Sequence, residues 1–254
     1  MAKLLWDQEA ERTFETGTKQ AAIYLYDKDS YWFGAGEAWN GFSAFTAQPS
    51  GAESTKLYAN DGTYASLTSA EEMGASVECY TYPAGFKKAL GLATPIKGMN
   101  LGQQARSKFG FVVKTTEGND TEGLEFAYQL HLLYFCEAAP AEKSYQTIND
   151  SPEAATFSYE FATTPVTVGE INGVNYKPTA YINIESKYYN TQSDKAILKA
   201  LEDVLYGSEQ YPAYLPTPSE VYEILSSTPT GDESSGYTVT LPEDLRKDLE
   251  ALKA

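Results

Sequence analysis

The feature that most constrains the fold of this chain is an alternation of apolar and polar side chains between residues 124 and 134, interrupted at Ala127 and Leu133. The two alternating sets are Leu124, Phe126, Tyr128, Leu130, Leu132 and Tyr134 and, between them, Glu125, Ala127, Gln129 and His131. Successive side chains of a β-strand point to opposite faces. An alternation of this length therefore predicts a long antiparallel strand with one apolar and one polar face.

Two neighbouring segments repeat the pattern. Phe109, Phe111 and Val113 precede a turn at residues 118–120, and Phe157, Tyr159 and Phe161 follow a loop that ends at 149–152. Shorter alternating runs predict further strands, at 21–26, 39–47, 56–59, 63–67, 75–79 and 180–185. The predicted fold is mainly β, an antiparallel β-sandwich or open barrel of about eight to ten strands.

Turn and capping signals divide the rest of the chain. Asn60-Asp61-Gly62 predicts a tight hairpin, and the strand at 39–47 is expected to stop at Pro49. Ser193 is predicted to cap a helix that ends at Tyr206, and Thr217 a second helix over 218–226. A capping box at 240–243 predicts a third, with leucines at 245, 249 and 252. We expect these two or three helices to be peripheral.

The domain prediction follows from this order of elements. Residues 1–227 should form one β domain, of which residues 1–19 are an N-terminal arm with no strand alternation. Residues 228–254 should be a C-terminal extension with a linker, a short strand and an amphipathic helix.

Charge and composition exclude several classes of protein. The net charge is −16, with 35 acidic and 19 basic residues, which argues against tight binding to nucleic acid. No apolar run is long enough to span a membrane, and the N-terminus has no apolar core of a secretory signal. Synthesis in a cytoplasm is expected.

The residues that could carry chemistry are few. Cys79 and Cys136 each fall in phase with apolar neighbours, which predicts two buried, reduced thiols. His131 is the single histidine and is expected on the polar face of its strand. A Cys136–His131 catalytic pair and a glycosidase-like carboxylate pair stay open as alternatives. Nevertheless, we expect no enzyme activity, no metal and no cofactor, since no known catalytic or metal motif is present.

Several separated motifs carry a family resemblance. They are KLLWDQEAERTFETG at the start, AWNG at 38–41, KFGFVVKTTEGNDTEG from residue 108, and AYQLHLLYFCEAAPAEKSYQTINDSPEAATFSYEFATTPV from residue 127. In this order they resemble the major tail proteins of long-tailed bacteriophages, from about residue 3 to about residue 227.

The resemblance implies a structural protein of the virion tail. Its subunits would join edge to edge into hexameric rings, and the rings would stack into a tube through which DNA passes. The implied partners are further copies of the chain and other tail proteins, namely tape measure, terminator and distal tail proteins. Double-stranded DNA would pass transiently without specific binding, and no membrane would be involved.

Two sets of residues are predicted to serve this assembly. The polar sheet face should line the bore, through Glu78, Glu125, Gln129, Thr156, Ser158, Glu160, Asn183 and Glu185. Apolar and turn residues without an internal partner should contact neighbouring subunits, namely Leu4, Leu5, Trp6, Phe14, Tyr58, Asn60, Asp61 and Tyr64. The alternative function is a β-sandwich module that binds carbohydrate or protein, which the twenty tyrosines would suit.

Overall fold

A computed structural model describes residues 3–145, 147, 154–232 and 236–253. Within them it contains fourteen strands, β1 to β14. Their bounds are β1 Thr13–Asp27, β2 Trp32–Ala38, β3 Phe42–Gly51, β4 Ser54–Ala59, β5 Gly62–Thr68, β6 Glu71–Cys79, β7 Phe109–Asn119, β8 Gly123–Ala138, β9 Phe157–Ala162, β10 Glu170–Ile171, β11 Val174–Asn175, β12 Tyr181–Glu185, β13 Thr230–Asp232 and β14 Gly236–Thr238. The helices are α1 Phe86–Ala89, α2 Gln192–Tyr206, α3 Pro218–Leu225 and α4 Glu243–Ala251.

The main sheet runs β2-β1-β7-β8-β9-β6-β3, and β12 pairs with the middle of β8. All of these pairs are antiparallel. The sheet bends where the end of β8 passes to β9, and the far strand β3 returns close to β1. There the Thr18 hydroxyl donates to the Ser43 carbonyl over 3.4 Å, and Trp39 N–H donates to the Ala21 carbonyl over 2.8 Å. The predicted mainly-β fold is confirmed, in the form of an open barrel.

The barrel interior is one of two hydrophobic cores. It is filled by residues of β1, β6, β7, β8 and β9 and by the short helix α1, among them Phe86, Phe109, Phe111 and Phe161. Cys79 and Cys136 also lie here, buried and unpaired, as predicted. Phe86 packs edge-on against Phe109, with ring centroids 5.6 Å apart, so that α1 closes one end of the barrel.

The second core lies on the other face of the strands β2-β1-β7-β8-β12, beneath the helices. Leu130, Leu132 and Tyr134 of β8 meet the apolar face of α2 there. Leu245 and Leu249 of α4 are fully buried in the same cluster, and Asp248 of α4 accepts a hydrogen bond from the Tyr214 hydroxyl. The C-terminal segment therefore packs against the core of the main domain.

The polar face expected on β8 is not exposed to solvent, because both sides of the strand are buried. Gln129 and His131 retain only 3% and 7% of their accessible surface, although they alternate with apolar residues as predicted. The barrel covers this side of the strand and the helices cover the other. A strand that packs between two layers has no solvent-facing side along its middle.

Several predicted boundaries are wrong. β1 begins at Thr13, inside the segment expected to be an arm without strand structure, because Thr13–Thr16 pair with the end of β7. The edge strand β2, at 32–38, was not among the predicted strands. β3 starts at Phe42 and continues through Pro49, which an edge strand tolerates because one side of it needs no N–H donor.

The predicted helix caps also differ in part. Thr191, not Ser193, caps α2, and it forms a capping box with Asp194. The capping box at Thr217 and Glu220 is confirmed. No side chain caps α4, which begins after Pro242. The expected linker contains β13, and the loop predicted to end at 149–152 lies outside the described residues.

Candidate assembly surfaces

The outer face of β3, β6 and β9 is polar, exposed and acidic. Along β6 and β9 the buried residues alternate with exposed ones, so that Glu78 lies opposite Ser158 and Glu160 lies opposite Ser76. Thr46 and Gln48 of β3 continue the same face, and Gln48 donates to the Ser76 hydroxyl over 3.2 Å. Glu72 adds a further carboxylate, and no position on this face is basic. We call this surface the acidic face.

The structure brings together only half of the residues predicted to line a bore. Glu78, Ser158 and Glu160 share the acidic face, and Thr156 lies exposed just before β9. Asn183 and Glu185 lie instead on β12, opposite His131 and Gln129 of β8. Glu125 is exposed near the turn between β7 and β8. The eight residues therefore occupy separate surfaces.

Gln129 belongs to a buried polar network rather than to an open surface. Its amide nitrogen donates to Glu15 over 2.8 Å and to Glu117 over 3.3 Å, and its amide oxygen accepts from Asn183 over 2.9 Å. Since all three bonds are made within the subunit, Gln129 offers almost no surface to a bore.

The same network holds a buried ion pair. The Glu117 side chain is 2% exposed, and its carboxylate lies 2.9 Å from the ammonium of Lys187. Lys187 also pairs with Glu185 over 2.6 Å. The hydrogen bonds that Lys187 donates to the carboxylates of Glu185 and Glu117 raise the pKa of Lys187, so this lysine stays charged. The network fixes the position of the segment after β12 against the barrel.

His131 is buried beside this network. One ring nitrogen lies 2.7 Å from the Thr115 hydroxyl and the other 2.6 Å from the Tyr181 hydroxyl, and the ring stacks on Tyr181. Burial lowers the pKa of His131, and the charge of Glu15 opposes that shift in part. Both nitrogens are hydrogen-bonded to hydroxyl groups, so His131 does not form the pair with Cys136 that the sequence left open.

The residues predicted to contact other subunits are exposed. In the N-terminal arm Leu4, Leu5 and Trp6 keep 72%, 65% and 73% of their surface. Ala10 N–H donates to Asp120 over 3.0 Å, which attaches the arm to the turn between β7 and β8. Phe14 follows at the start of β1 and is about half exposed.

The predicted hairpin is confirmed as β4 and β5. Asn60 and Asp61 both have positive φ at its tip, the conformation expected of a two-residue hairpin turn. Tyr58 and Tyr64 are strongly exposed, at 72% and 77%. The hairpin extends the pairing of β3 with β6, because Gly51 pairs with Glu71 and Ser54 with Thr68. The six residues of β4 carry this ribbon about 20 Å beyond the barrel.

The hairpin has one aliphatic face and one polar face. Leu57 lies opposite Ala65 and Thr55 opposite Leu67, and the leucines are 41% and 58% exposed. Ser54, Lys56 and Ser66 alternate with them on the other side, and a register shift between Leu57 and Tyr58 leaves Tyr64 outside the paired positions. An isolated two-stranded ribbon is marginally stable in water, and exposed apolar residues on it indicate a contact surface.

Some relevant residues escaped sequence reasoning. Glu15, Glu117 and Lys187 come from distant parts of the chain, and only the pairing of β1, β7, β8 and β12 brings them together. Glu72 and Gln48 could have been found, because they continue the alternation of β6 and β3.

The part of the chain that the structure describes contains no group of three or more histidine, cysteine, aspartate or glutamate residues arranged to hold a metal ion. An open cleft of about 940 Å³ is lined by residues 18–22, 35–42, 206–208 and 211–213, most of them small or polar, together with the charged Lys19 and Glu37 and several aromatic side chains. No helix among the described residues has the length and apolar character needed to cross a bilayer.

Comparison with known proteins gives weak similarities only. No family model matches the sequence, and no curated protein matches it. Among solved structures, the sheath–tube complex of an extracellular contractile injection system (PVC, extended state) is 11% identical, with 65% of this chain and 88% of that chain covered and a TM-score of 0.32. The baseplate of the anti-feeding prophage (AFP) is 8% identical, with 72% and 97% covered and a TM-score of 0.35. At these values neither similarity bears on the function of this chain.

Proposed function

We propose that this protein is a structural subunit of a phage tail tube, which assembles into hexameric rings that stack to form a conduit for DNA. The observation that carries the proposal is the set of apolar segments that the subunit leaves uncovered. Leu4, Leu5 and Trp6 of the arm and Leu57 and Leu67 of the hairpin are 41–73% exposed and belong to neither hydrophobic core.

The motif resemblance to major tail proteins supports the same reading. Such a protein acts in the virion tail, after synthesis in the host cytoplasm. Its partners are other copies of itself, together with tape measure, terminator and distal tail proteins. It needs no cofactor and carries out no reaction.

The acidic face is the surface that we propose for the bore. β3, β6, β9 and the end of β8 are four neighbouring strands, the number per subunit that the resemblance implies. Twenty-four strands at about 4.8 Å spacing and about 40° tilt give a circumference of about 150 Å and a backbone diameter of about 48 Å. Side chains remove roughly 10 Å of that diameter, which leaves room for a DNA duplex and water.

The chemistry of this face suits passage without retention. Glu78 and Glu160 present carboxylates, Thr156 and Ser158 present hydroxyls, and none of the residues can grip a phosphate as lysine or arginine does. A ring of six chains carries 6 × −16 = −96 formal charges. A repulsive wall would keep DNA in the water-filled centre.

Negative-stain electron microscopy of the purified protein tests the proposal. We expect rings with a central hole and stacked tubes, because the apolar arm and hairpin need a neighbouring subunit to cover them. A monodisperse monomer that binds glycans or a peptide would support the alternative binding module instead.

Substitutions make the test specific. Replacement of Leu4, Leu5 and Trp6 by serine should leave the secondary structure unchanged, as measured by circular dichroism, and abolish rings. The matched control replaces Tyr31 and Tyr188, which are equally exposed at 79% and 73% but lie outside the arm and hairpin. Equal loss of rings in the control, or normal rings in the arm variant, would argue against this role of the arm.

A further inference from the structure

The basic residues of this acidic chain are unevenly distributed. Residues 79–116 contain six lysines and arginines and no aspartate or glutamate, although the whole chain has a net charge of −16. Lys114 of this stretch lies inside the sheet and pairs with Glu202 over 2.9 Å. The other five lie within α1 or between α1 and the start of β7, namely Lys87, Lys88, Lys97, Arg106 and Lys108. Of these, Lys108 pairs with Glu137 at the end of β8 over 2.8 Å. We call residues 85–108 the basic cap.

The basic cap has a defined shape. Phe86 and Ala89 are fully buried and anchor it to the barrel core. Gln104 N–H donates to the Gly91 carbonyl over 3.0 Å, and Ser107 N–H donates to the Lys88 carbonyl over 3.1 Å. These bonds hold both ends of the excursion, so its charges are presented in a fixed arrangement.

The cap also exposes apolar side chains between its charges. Ile96, Met99 and Leu101 are 65%, 45% and 40% exposed, and Lys97 lies among them. Methionine and arginine are enriched at protein interfaces, and exposed apolar residues with a charged border are typical of contact surfaces. The combination of exposed apolar and basic side chains indicates that the basic cap contacts a protein partner.

The opposite end of β7 carries the opposite charge. Asp120, Glu122 and Glu125 are exposed at the turn that follows β7 and at the start of β8. The arm adds Glu9 and Glu11, also exposed, since Ala10 is attached to Asp120. Among the described ion pairs, the one at this turn joins Arg12 to Asp120 over 3.5 Å. We call residues 7–12 and 120–125 the acidic end.

The acidic end likewise exposes apolar surface. Leu124 is 56% exposed beside the carboxylates, and Phe14 is 47% exposed at the start of β1. Both ends therefore combine exposed apolar side chains with a net charge, of opposite sign at the two ends: Arg12 offsets one of six carboxylates at the acidic end, and Glu137 pairs with Lys108 beside the basic cap.

The two ends are separated by the length of one strand. β7 has eleven residues, from Phe109 to Asn119, and at about 3.3 Å per residue it spans about 36 Å. The basic cap comes directly before it and the acidic end directly after it. A subunit with complementary surfaces at opposite ends can make a heterologous contact that repeats along an axis.

We infer that copies of this chain stack head to tail, with the basic cap of one copy seated on the acidic end of the next. The inference rests on the proposed tube and extends it. It identifies the surfaces through which successive rings touch, and it implies that all rings face the same way along the tube. The partner is a second copy of this chain, because the complementary charge and the matching apolar residues are both present on it.

Reversal of charges at each end in separate variants, followed by mixing of the two variants, tests the inference. The variant Lys88→Glu/Lys97→Glu lowers the formal charge of the basic cap from +5 to +1, and Glu122→Lys/Glu125→Lys changes that of the acidic end from −5 to −1. Each variant alone should form rings but lose tubes at least about tenfold by sedimentation, because most of the attraction between the two ends is lost and the introduced charges repel the unchanged charges of the opposite end. An equimolar mixture should recover tubes, since the introduced glutamates of one variant can then meet the introduced lysines of the other, and the two unchanged ends can meet each other. The neutral pair Lys88→Gln/Lys97→Gln should show a smaller loss.

The control variant Lys177→Glu/Lys199→Glu changes the net charge equally at exposed sites outside both ends, and it should form tubes normally. If the wild-type protein forms no rings, the proposed function fails. If rings and tubes form and the reversals leave tube yield unchanged, or the mixture recovers nothing, the inference is overturned. The inference is also overturned if a short DNA duplex binds the wild-type protein and Lys88→Glu/Lys97→Glu abolishes this binding without changing tube yield. The basic cap would then be a nucleic-acid surface.

Discussion

Removal of the Lys187 ammonium should destabilise the subunit strongly, because it leaves the Glu117 carboxylate buried without a counter-charge. The Glu117 side chain is 2% exposed, and its remaining described hydrogen-bond donor would be the Gln129 amide at 3.3 Å. Breaking a buried ion pair from one side costs about 3–5 kcal/mol. Lys187 is itself 26% exposed, so water can reach the site and we expect about 3 kcal/mol for Lys187→Met.

A double substitution separates two effects, namely the loss of the ion pair itself and the cost of a buried Glu117 carboxylate without a counter-charge. In Glu117→Gln/Lys187→Met no buried charge remains at this pair, and stability should return to within about 1 kcal/mol of the wild-type value. The matched control is Lys199→Met, which breaks a pair with Asp203 at a similar distance of 3.0 Å but with both side chains largely exposed. Its effect should stay below about 0.5 kcal/mol.

Urea unfolding of dispersed subunits, followed by tryptophan fluorescence, measures these differences. The slope of unfolding free energy against urea should be the same in all four proteins, so that the midpoints report stability alone. A Lys187→Met midpoint equal to that of Lys199→Met would refute the reasoning. So would a double variant that is no more stable than Lys187→Met.

Two further predictions concern the core and the pH response. Leu249→Ala should lower the unfolding free energy by about 2–5 kcal/mol in the same urea assay, because the side chain is fully buried under the helices, whereas the exposed Glu250→Ala should change it little. Since burial lowers the pKa of His131 below its unfolded value, the stability it contributes is present above about pH 6.5 and is lost as the pH falls through the folded-state pKa. His131→Gln should therefore show a weaker loss of stability between pH 7 and pH 5, and an unchanged pH profile would contradict this role.

Much of the secondary structure could be predicted from local sequence. The alternation at 124–134 lies within β8, the signal at Asn60 and Asp61 is a hairpin tip with positive φ, and the capping box at Thr217 begins α3. These features depend on a few neighbouring residues and on backbone geometry, so that they can be read without knowledge of the fold. The element ends were less certain, because β1 and β3 are extended by pairing with strands far away in the chain.

The sequence by itself determined that this chain is a β protein with exposed apolar segments in its arm and hairpin. Alternation fixes which side chains share a face, and a lack of alternation leaves apolar residues such as Trp6 without a place in the sheet. Only the tertiary structure decided that the side of β8 with Gln129 and His131 is covered, that Glu117 and Lys187 meet, and that the charges before and after β7 lie at opposite ends of the subunit. Whether a face is covered depends on which layers pack against it, and that arrangement is set by contacts between residues far apart in the chain.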